Sequence, residues 1–255
     1  MKNYYDFTGK TAIVTGAGSK RGFGIATSLM FAGYGANIVV VDIDGEGAEF
    51  NAKRVMEENP GVKAIAVKAD LTSEADVKAL VKTTMDTFGR IDFLINIAGI
   101  SVPHQLFEIS LDEWNKVMNV NITSVFLMCR EILPIMQKQK FGRIVNTASV
   151  AARDGGHHGG AHYVTSKCAT FGLTRHLAKA FAADGITINN IAPGQMLTDG
   201  GGLLIEDRKP NPLCPMGRRG EAYEFAGAAC YLCSDVAAYI TGTSIDVNGG
   251  LVFPG

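Results

Sequence analysis

The stretch AHYVTSKC, residues 161–168, places Tyr163 four residues ahead of Lys167. On a helix that spacing brings both side chains to one face, about one turn apart. A phenol and an ammonium held side by side have three readings: coincidence, a surface contact, or a proton donor with an altered pKa. Ser149 follows the β-branched run GRIVNTA, fourteen residues before the tyrosine, and Asn121 interrupts an apolar stretch in MNVNITSVF. Taken singly, a Ser, Tyr, Lys or Asn is an ordinary structural residue. Their meaning depends on what else the chain brings to the same place.

A second constellation lies near the N-terminus. The run TAIVT leads into TGAGSKRGFG, with Gly16, Gly18, Gly22 and Gly24 ahead of an apolar helical pattern. Glycines let a backbone approach a pyrophosphate, and a helix N-terminus offers free N–H groups and a positive dipole. A glycine-rich turn is a weak signal alone, but here a strand precedes it, a helix follows, and the next strand ends in Asp42. A carboxylate there accepts hydrogen bonds from both adenosine ribose hydroxyls and repels a 2′-phosphate, which favours NAD. Lys20 and Arg21 beside the loop keep NADP possible, or are solvated charges. Asp70, in KADLTS, is placed to meet the adenine edge, or belongs to the N-cap region of the following helix.

These residues need a scaffold that gathers them. Strand candidates fall at 11–15, 36–42, 62–69, 91–96, 142–148, 186–192 and 243–247, most of them apolar on both faces as parallel strands covered by helices should be. Amphipathic segments near 23–34, 44–58, 73–88, 110–139, 161–183 and 221–233 alternate with them. The pattern predicts an α/β fold, a doubly wound parallel seven-stranded sheet with helices on both faces, as a single domain over 1–255. Such sheets bind ligands at the carboxyl ends of their strands. Every residue singled out above sits near such an end.

At this point the chain resembles the short-chain dehydrogenases/reductases in their single-domain form. The resemblance is carried by TGAGSKRGFG, the acid in VVVDID, INIAG, NVNITSVF, IVNTASV, YVTSK, INNIAPGQMLT, PMGRRGEAYEFA and SDVAAYITGTSIDVNGG, nearly the whole chain. It implies a catalytic set of Ser149, Tyr163 and Lys167 with Asn121 as fourth member, and a hydroxyl at Thr198 for the nicotinamide carboxamide. It implies further cofactor contacts at Arg21, Phe23, Ile43, Leu71, Asn96, Ala98, Gly99, Pro193, Gly194 and Met196, with Tyr163 and Lys167 shared between both roles. The glycine loop is longer than the family's usual one, so register alone assigns Lys20 and Arg21 no role. Arg21 is carried as a contact because a basic residue just before the second glycine goes with NADP in the family, and Ile97 stands where the family usually has a second asparagine. Free tyrosine has a pKa of about 10, and a nearby ammonium with the positive nicotinamide should pull it down. Tyr163 then moves a proton as NAD takes or returns hydride, Ser149 holds the substrate oxygen, and Asn121 helps keep a water behind Lys167.

The remaining sequence bounds the rest. Net charge is −1 with 19% charged residues, which gives no reason to expect nucleic acid or an anionic membrane, and no apolar run reads as a span or signal peptide, so a cytoplasmic address is expected. Cys129, Cys168, Cys214, Cys230 and Cys233 read as free thiols, CYLC as two core cysteines, and His157, His158 and His162 as part of a polar loop, with no metal site. By the same resemblance the loop VAARDGGHHGGAH borders the substrate, and its polar residues, including Arg153 and Asp154, together with Gln195 imply a secondary alcohol or ketone bearing polar groups: a polyol, sugar or hydroxy acid. An NADP-dependent 3-oxoacyl-carrier-protein or hydroxysteroid reductase is the alternative, aided by Leu203, Leu204 and Ile205 in an expected lid at 197–212. A non-catalytic dinucleotide sensor and a sugar-nucleotide epimerase are the readings of other classes. The resemblance also implies a homotetramer.

Overall fold

The computed structural model describes residues 3–156, 159–198 and 211–253. Six strands come first, β1 (Thr11–Thr15), β2 (Asn37–Asp42), β3 (Ala64–Lys68), β4 (Phe93–Asn96), β5 (Gly142–Thr147) and β6 (Ile186–Pro193). A two-residue pair follows, β7 (Met196–Leu197) with β8 (Gly220–Glu221), and β9 (Ser244–Val247) closes the series. The main sheet has seven parallel strands in the order β3-β2-β1-β4-β5-β6-β9. The longer helices are α1 (Phe23–Gly33), α2 (Gly45–Glu58), α3 (Glu74–Phe88), α4 (Leu111–Met118) and α5 (Ser124–Gln139), then, past a short α6 (Ala151–Asp154), α7 (Gly160–Phe181) and α8 (Ala222–Cys233).

The period-two alternation of the strands divides the apolar residues between two cores. Ala12, Val14, Ile38, Val40, Phe93 and Ile95 pack with residues of α1, α2 and α8. Their neighbours Ile13, Val39, Val41, Leu94, Ile144 and Ile188 pack on the opposite face with α3, α5 and α7. Cys230 and Cys233 are buried free thiols in the first of these cores. The chain builds outward from β1 to β3, then returns to place β4 on the other side of β1, so the strand order reverses there. A crevice opens at such a switch point, beyond the carboxyl ends of β1 and β4.

Two local features differ from the sequence pattern. The segment expected as one helix over 110–139 is α4 and α5 joined by a π-helical turn at Asn119–Thr123. The widened turn carries the polar NVNIT, and its central Asn121 is buried. The residues after Ser149, expected as loop, form α6. Among the described residues, no helix is long and apolar enough to cross a membrane.

A chain of buried polar side chains ties α7 to the sheet. Asn96 Nδ2 donates to Asn146 Oδ1 at 2.8 Å, Asn146 Nδ2 to Thr174 Oγ1 at 2.9 Å, and Thr174 Oγ1 to Asn190 Oδ1 at 2.7 Å. Strands β4, β5 and β6 and helix α7 each contribute a member. Thr174→Val keeps the shape but leaves two buried carboxamides short of a partner. It should cost about 1–3 kcal/mol in urea unfolding, and an unchanged midpoint would show that the chain does not hold α7.

Candidate active site

The crevice is a cleft of about 470 Å³ running from Ser19, Arg21 and Asp42 to Tyr163 and Lys167. At its first end β1 leads into a turn whose glycines are required by close approach. Gly16 has φ +66°, and a Cβ on it would lie 2.9 Å from the Ala98 backbone. A Cβ on Gly18 would lie 2.8 Å from Asp42 Cγ, because the Gly18 N–H donates to Asp42 Oδ2 at 2.7 Å. The other Asp42 oxygen accepts from Asp44 N at 3.0 Å, so the carboxylate is held in one orientation at the cleft wall. Helix α1 starts behind Gly22 with no side-chain cap and no acidic residue in its first turn. Its orphan N–H groups and dipole therefore meet the cleft at Gly22 and Phe23 uncompensated, which suits a pyrophosphate. The residues present fit a dinucleotide on these grounds.

The turn after β4 forms the cleft floor. Thr15 Oγ1 accepts from Ile97 N at 2.9 Å and Ala98 N at 3.2 Å, which fixes the turn that begins with Ile97 where Asn is usual in the family. Lys20 lies over the Phe50 ring, 5.0 Å from its centroid and turned toward α2, whereas Arg21 lines the cleft. Asp70 also lines the cleft while its Oδ1 accepts from Thr72 N and Oγ1; the N-cap of α3 is Ser73 instead.

At the far end Tyr163 and Lys167 share the cleft-facing side of α7, with the Lys167 Nζ 5.8 Å from the Tyr163 ring centroid. Lys167 is buried and donates to Thr147 O at 2.8 Å. Loss of water pushes its ammonium down to about 8. Burial pushes the Tyr163 phenol up, and the hydrogen-bonded Ser149 hydroxyl offsets part of that rise. The depressed tyrosine pKa expected from the sequence is thus not a property of the protein alone: burial sets the upward direction and Ser149 offsets only part of it. Ser149 Oγ also accepts from Ala151 N at 3.1 Å, which seats it at the start of α6. Asn121 accepts from Ile100 N at 2.8 Å and donates to Ile100 O at 2.9 Å and Ser166 Oγ at 3.0 Å. It lies behind the cleft and locks the β4–α4 segment to α7.

Of the residues singled out from the sequence, Gly16, Arg21, Gly22, Phe23, Asp42, Ile43, Asp70, Leu71, Ala98, Gly99, Tyr163, Lys167, Pro193 and Thr198 line the cleft. Others stand behind it. Gly24 packs against Gly16 and Ala17, Gly194 against Asn248, and Asn96 points into the sheet network. Met196 is buried in the α1–α8 core. Gln195 Oε1 accepts from Asn211 Nδ2 at 2.8 Å, and Arg153 pairs with Asp246 at 3.3 Å, so both are engaged with the protein rather than aimed at a ligand. His157, His158 and residues 199–210 of the expected lid, including Leu203, Leu204 and Ile205, lie outside the described residues. The cleft also takes in Ile100, Ser101, Val120 and Ser124. Only the break in the helical pattern at NVNIT signals that the last two turn inward.

A family model described as Enoyl-(Acyl carrier protein) reductase matches residues 16–252. A 3-oxoacyl-[acyl-carrier-protein] reductase of Synechocystis sp. is 39% identical over 249 residues, 96% of this chain and 98% of the relative. An uncharacterized short-chain type dehydrogenase/reductase of Sinorhizobium fredii is 35% identical over 248 residues, with 96% and 98% covered. A crystal structure of levodione reductase superposes with a TM-score of 0.89 at 35% identity, covering 96% of this chain and 98% of that one.

The buried lysine makes a signed prediction. Its folded pKa of about 8 lies below the ordinary 10.5, so between those values the unfolded state binds more protons and stability rises with pH. Below about 8 the lysine is charged in both states and the penalty is fully present. Across that window the wild type should gain up to about 3 kcal/mol relative to Lys167→Met in parallel urea titrations. A pH-independent difference between the two proteins would contradict the desolvated lysine.

Proposed function

The chain belongs to the short-chain dehydrogenases/reductases and is a nicotinamide-dinucleotide-dependent oxidoreductase, and on that premise we propose that it acts as one catalytic domain reducing the 3-keto group of an acyl thioester with NADH. The observation that carries the proposal is the continuity of the cleft, which joins Asp42 and the bare α1 N-terminus to Tyr163 and Lys167. When bound, the dinucleotide supplies the hydride. The glycine turn, the α1 N-terminus and Asp42 would hold its adenosine and pyrophosphate, and Lys167 and Thr198 its nicotinamide half. The protein's own part is the proton. Ser149 holds the ketone oxygen, and the Tyr163 phenol, kept un-ionised by burial, is in the form that donates to it.

Asp42 supports NAD(H) over the phosphorylated cofactor, since its oriented carboxylate would repel a 2′-phosphate. The names of the carrier-protein reductases among the relatives support the thioester. The polyol reading is weakened because two of the polar side chains it drew on, Gln195 and Arg153, are engaged with Asn211 and Asp246. The solved levodione reductase supports a second reading, a small free ketone. Exposed Leu106, Phe107, Leu111 and Phe126 around α4 and α5 are consistent with a homotetramer, and a cytoplasmic address goes with this reading.

Nicotinamide absorbance with NADH and NADPH, against a 3-oxoacyl thioester, free ketones and polyols, tests these assignments. Thioester reduction with NADH should dominate, and Tyr163→Phe should lose about 10²–10⁴ in kcat with dinucleotide affinity unchanged. Polyol oxidation outrunning ketone reduction would reject the thioester reading, and full activity in Tyr163→Phe would reject the proton donor. Asp42→Ala should narrow the preference for NADH by about tenfold or more; an unaltered ratio would remove Asp42 from cofactor choice.

A further inference from the structure

His162, the residue before Tyr163, is a histidine with no solvent exposure, and it lies outside the cleft lining. A buried imidazole is costly unless both nitrogens are satisfied. Here they are, with opposite tasks. Nδ1 lies 2.9 Å from Tyr163 N and must accept, because that backbone N–H donates. The proton is therefore on Nε2, which donates to Glu113 Oε1 at 2.8 Å. The Glu113 carboxylate in turn accepts from His104 Nδ1, at 2.8 Å for Oε2 and 3.0 Å for Oε1. The His162 bond first, with His104 behind it, outweighs burial and holds Glu113 below the usual carboxylate range.

The three residues come from three places. His104 belongs to the segment after β4, Glu113 to the first turn of α4, and His162 to the first turn of α7. The segment also lies directly on α7: a Cβ on Gly160 would come within 2.9 Å of the Val102 and His104 carbonyl oxygens and 2.7 Å of the His162 ring. Just before Val102, Ile100 and Ser101 line the same cleft as Tyr163. Asn121 pins this wall from behind at Ile100; the two histidines and Glu113 pin its outer end.

We propose that His162 is a positioning residue, which with Glu113 and His104 straps the wall at 100–104 to the turn bearing Tyr163 and so sets the gap a substrate carbonyl must enter. The assignment rests on the reading of Tyr163 as proton donor. An apolar side chain at 162 would fill the same volume, but it would leave the Tyr163 N–H and the Glu113 carboxylate without this connection.

The test separates the two ends of the imidazole. Glu113→Ala cuts the strap and leaves the Tyr163 N–H bond intact. His162→Asn keeps an acceptor near that N–H but is too short for Glu113. Both should raise the ketone KM and lower kcat, each by about tenfold, with dinucleotide Kd within about twofold of the parent. Glu113→Gln, which keeps an acceptor oxygen, should recover most of the loss. The double variant should be no worse than either single one. Ketone kinetics unchanged in Glu113→Ala, or an equal loss of dinucleotide affinity, would overturn the proposal. Glu113 is partly exposed, so its variants report even where His162→Asn fails to fold. Backbone hydrogen exchange over 99–105 in the dinucleotide-bound protein reads the strap without turnover. It should rise about tenfold in Glu113→Ala, and unchanged exchange would also overturn the strap. A parent that reduces no ketone but shows the exchange change would instead count against the proposed function alone.

Discussion

The arrangement of this molecule depends on how one helix is seated on the sheet. Helix α7 carries both the phenol and the ammonium of the site, and its apolar packing does not specify where along the sheet it comes to rest. The chain Asn96–Asn146–Thr174–Asn190 does, because buried carboxamides and a hydroxyl reach full hydrogen bonding in only one register. With that register set, Lys167 meets the Thr147 carbonyl and Tyr163, lining the far end of the cleft, is hydrogen-bonded to Ser149.

Burial then shapes the chemistry at both side chains. It acts on the lysine and the tyrosine in opposite directions of pKa, and in each case it favours the uncharged form. A protein that seats an ammonium against a backbone carbonyl instead of a carboxylate leaves that charge sensitive to whatever enters the cleft. The opposite end of the cleft is arranged on the other principle. There the α1 N-terminus and the Asp42 carboxylate present fixed, oriented polarity, and glycine is required where a side chain would collide with Ala98 or Asp42.

Around α4, α6 and the start of α7, polar residues are turned toward protein. Asn121 and Glu113 hold the wall between them, Gln195 anchors the chain at Asn211, and Arg153 ties α6 to β9. What remains facing the cleft near Tyr163 includes Ile100, Ser101 and Val120. A polar composition in a loop is therefore a poor guide to a polar ligand, since the same side chains are what a loop uses to hold itself in place.

Much of this was legible in the chain alone. Alternating apolar strands and helical segments determined the doubly wound sheet, because each strand must bury both faces and each helix one. The i, i+4 spacing determined that Tyr163 and Lys167 share a face, and the strand–glycine turn–helix order with Asp42 located the opposite end of the cleft. Other features required the fold. The π turn at Asn119–Thr123 arises because Asn121 bonds to residues 21 and 45 positions away, which no local pattern encodes. Asn96 and Met196 are cofactor contacts only by the family resemblance, while strand direction sends the Asn96 side chain into a polar network and Met196 into a core. His162 looked like part of a polar loop, and only the packing of α4 against α7 gave its ring two partners. Local spacing determines which residues share an element; long-range contacts decide which way a side chain points and what its burial does to its charge.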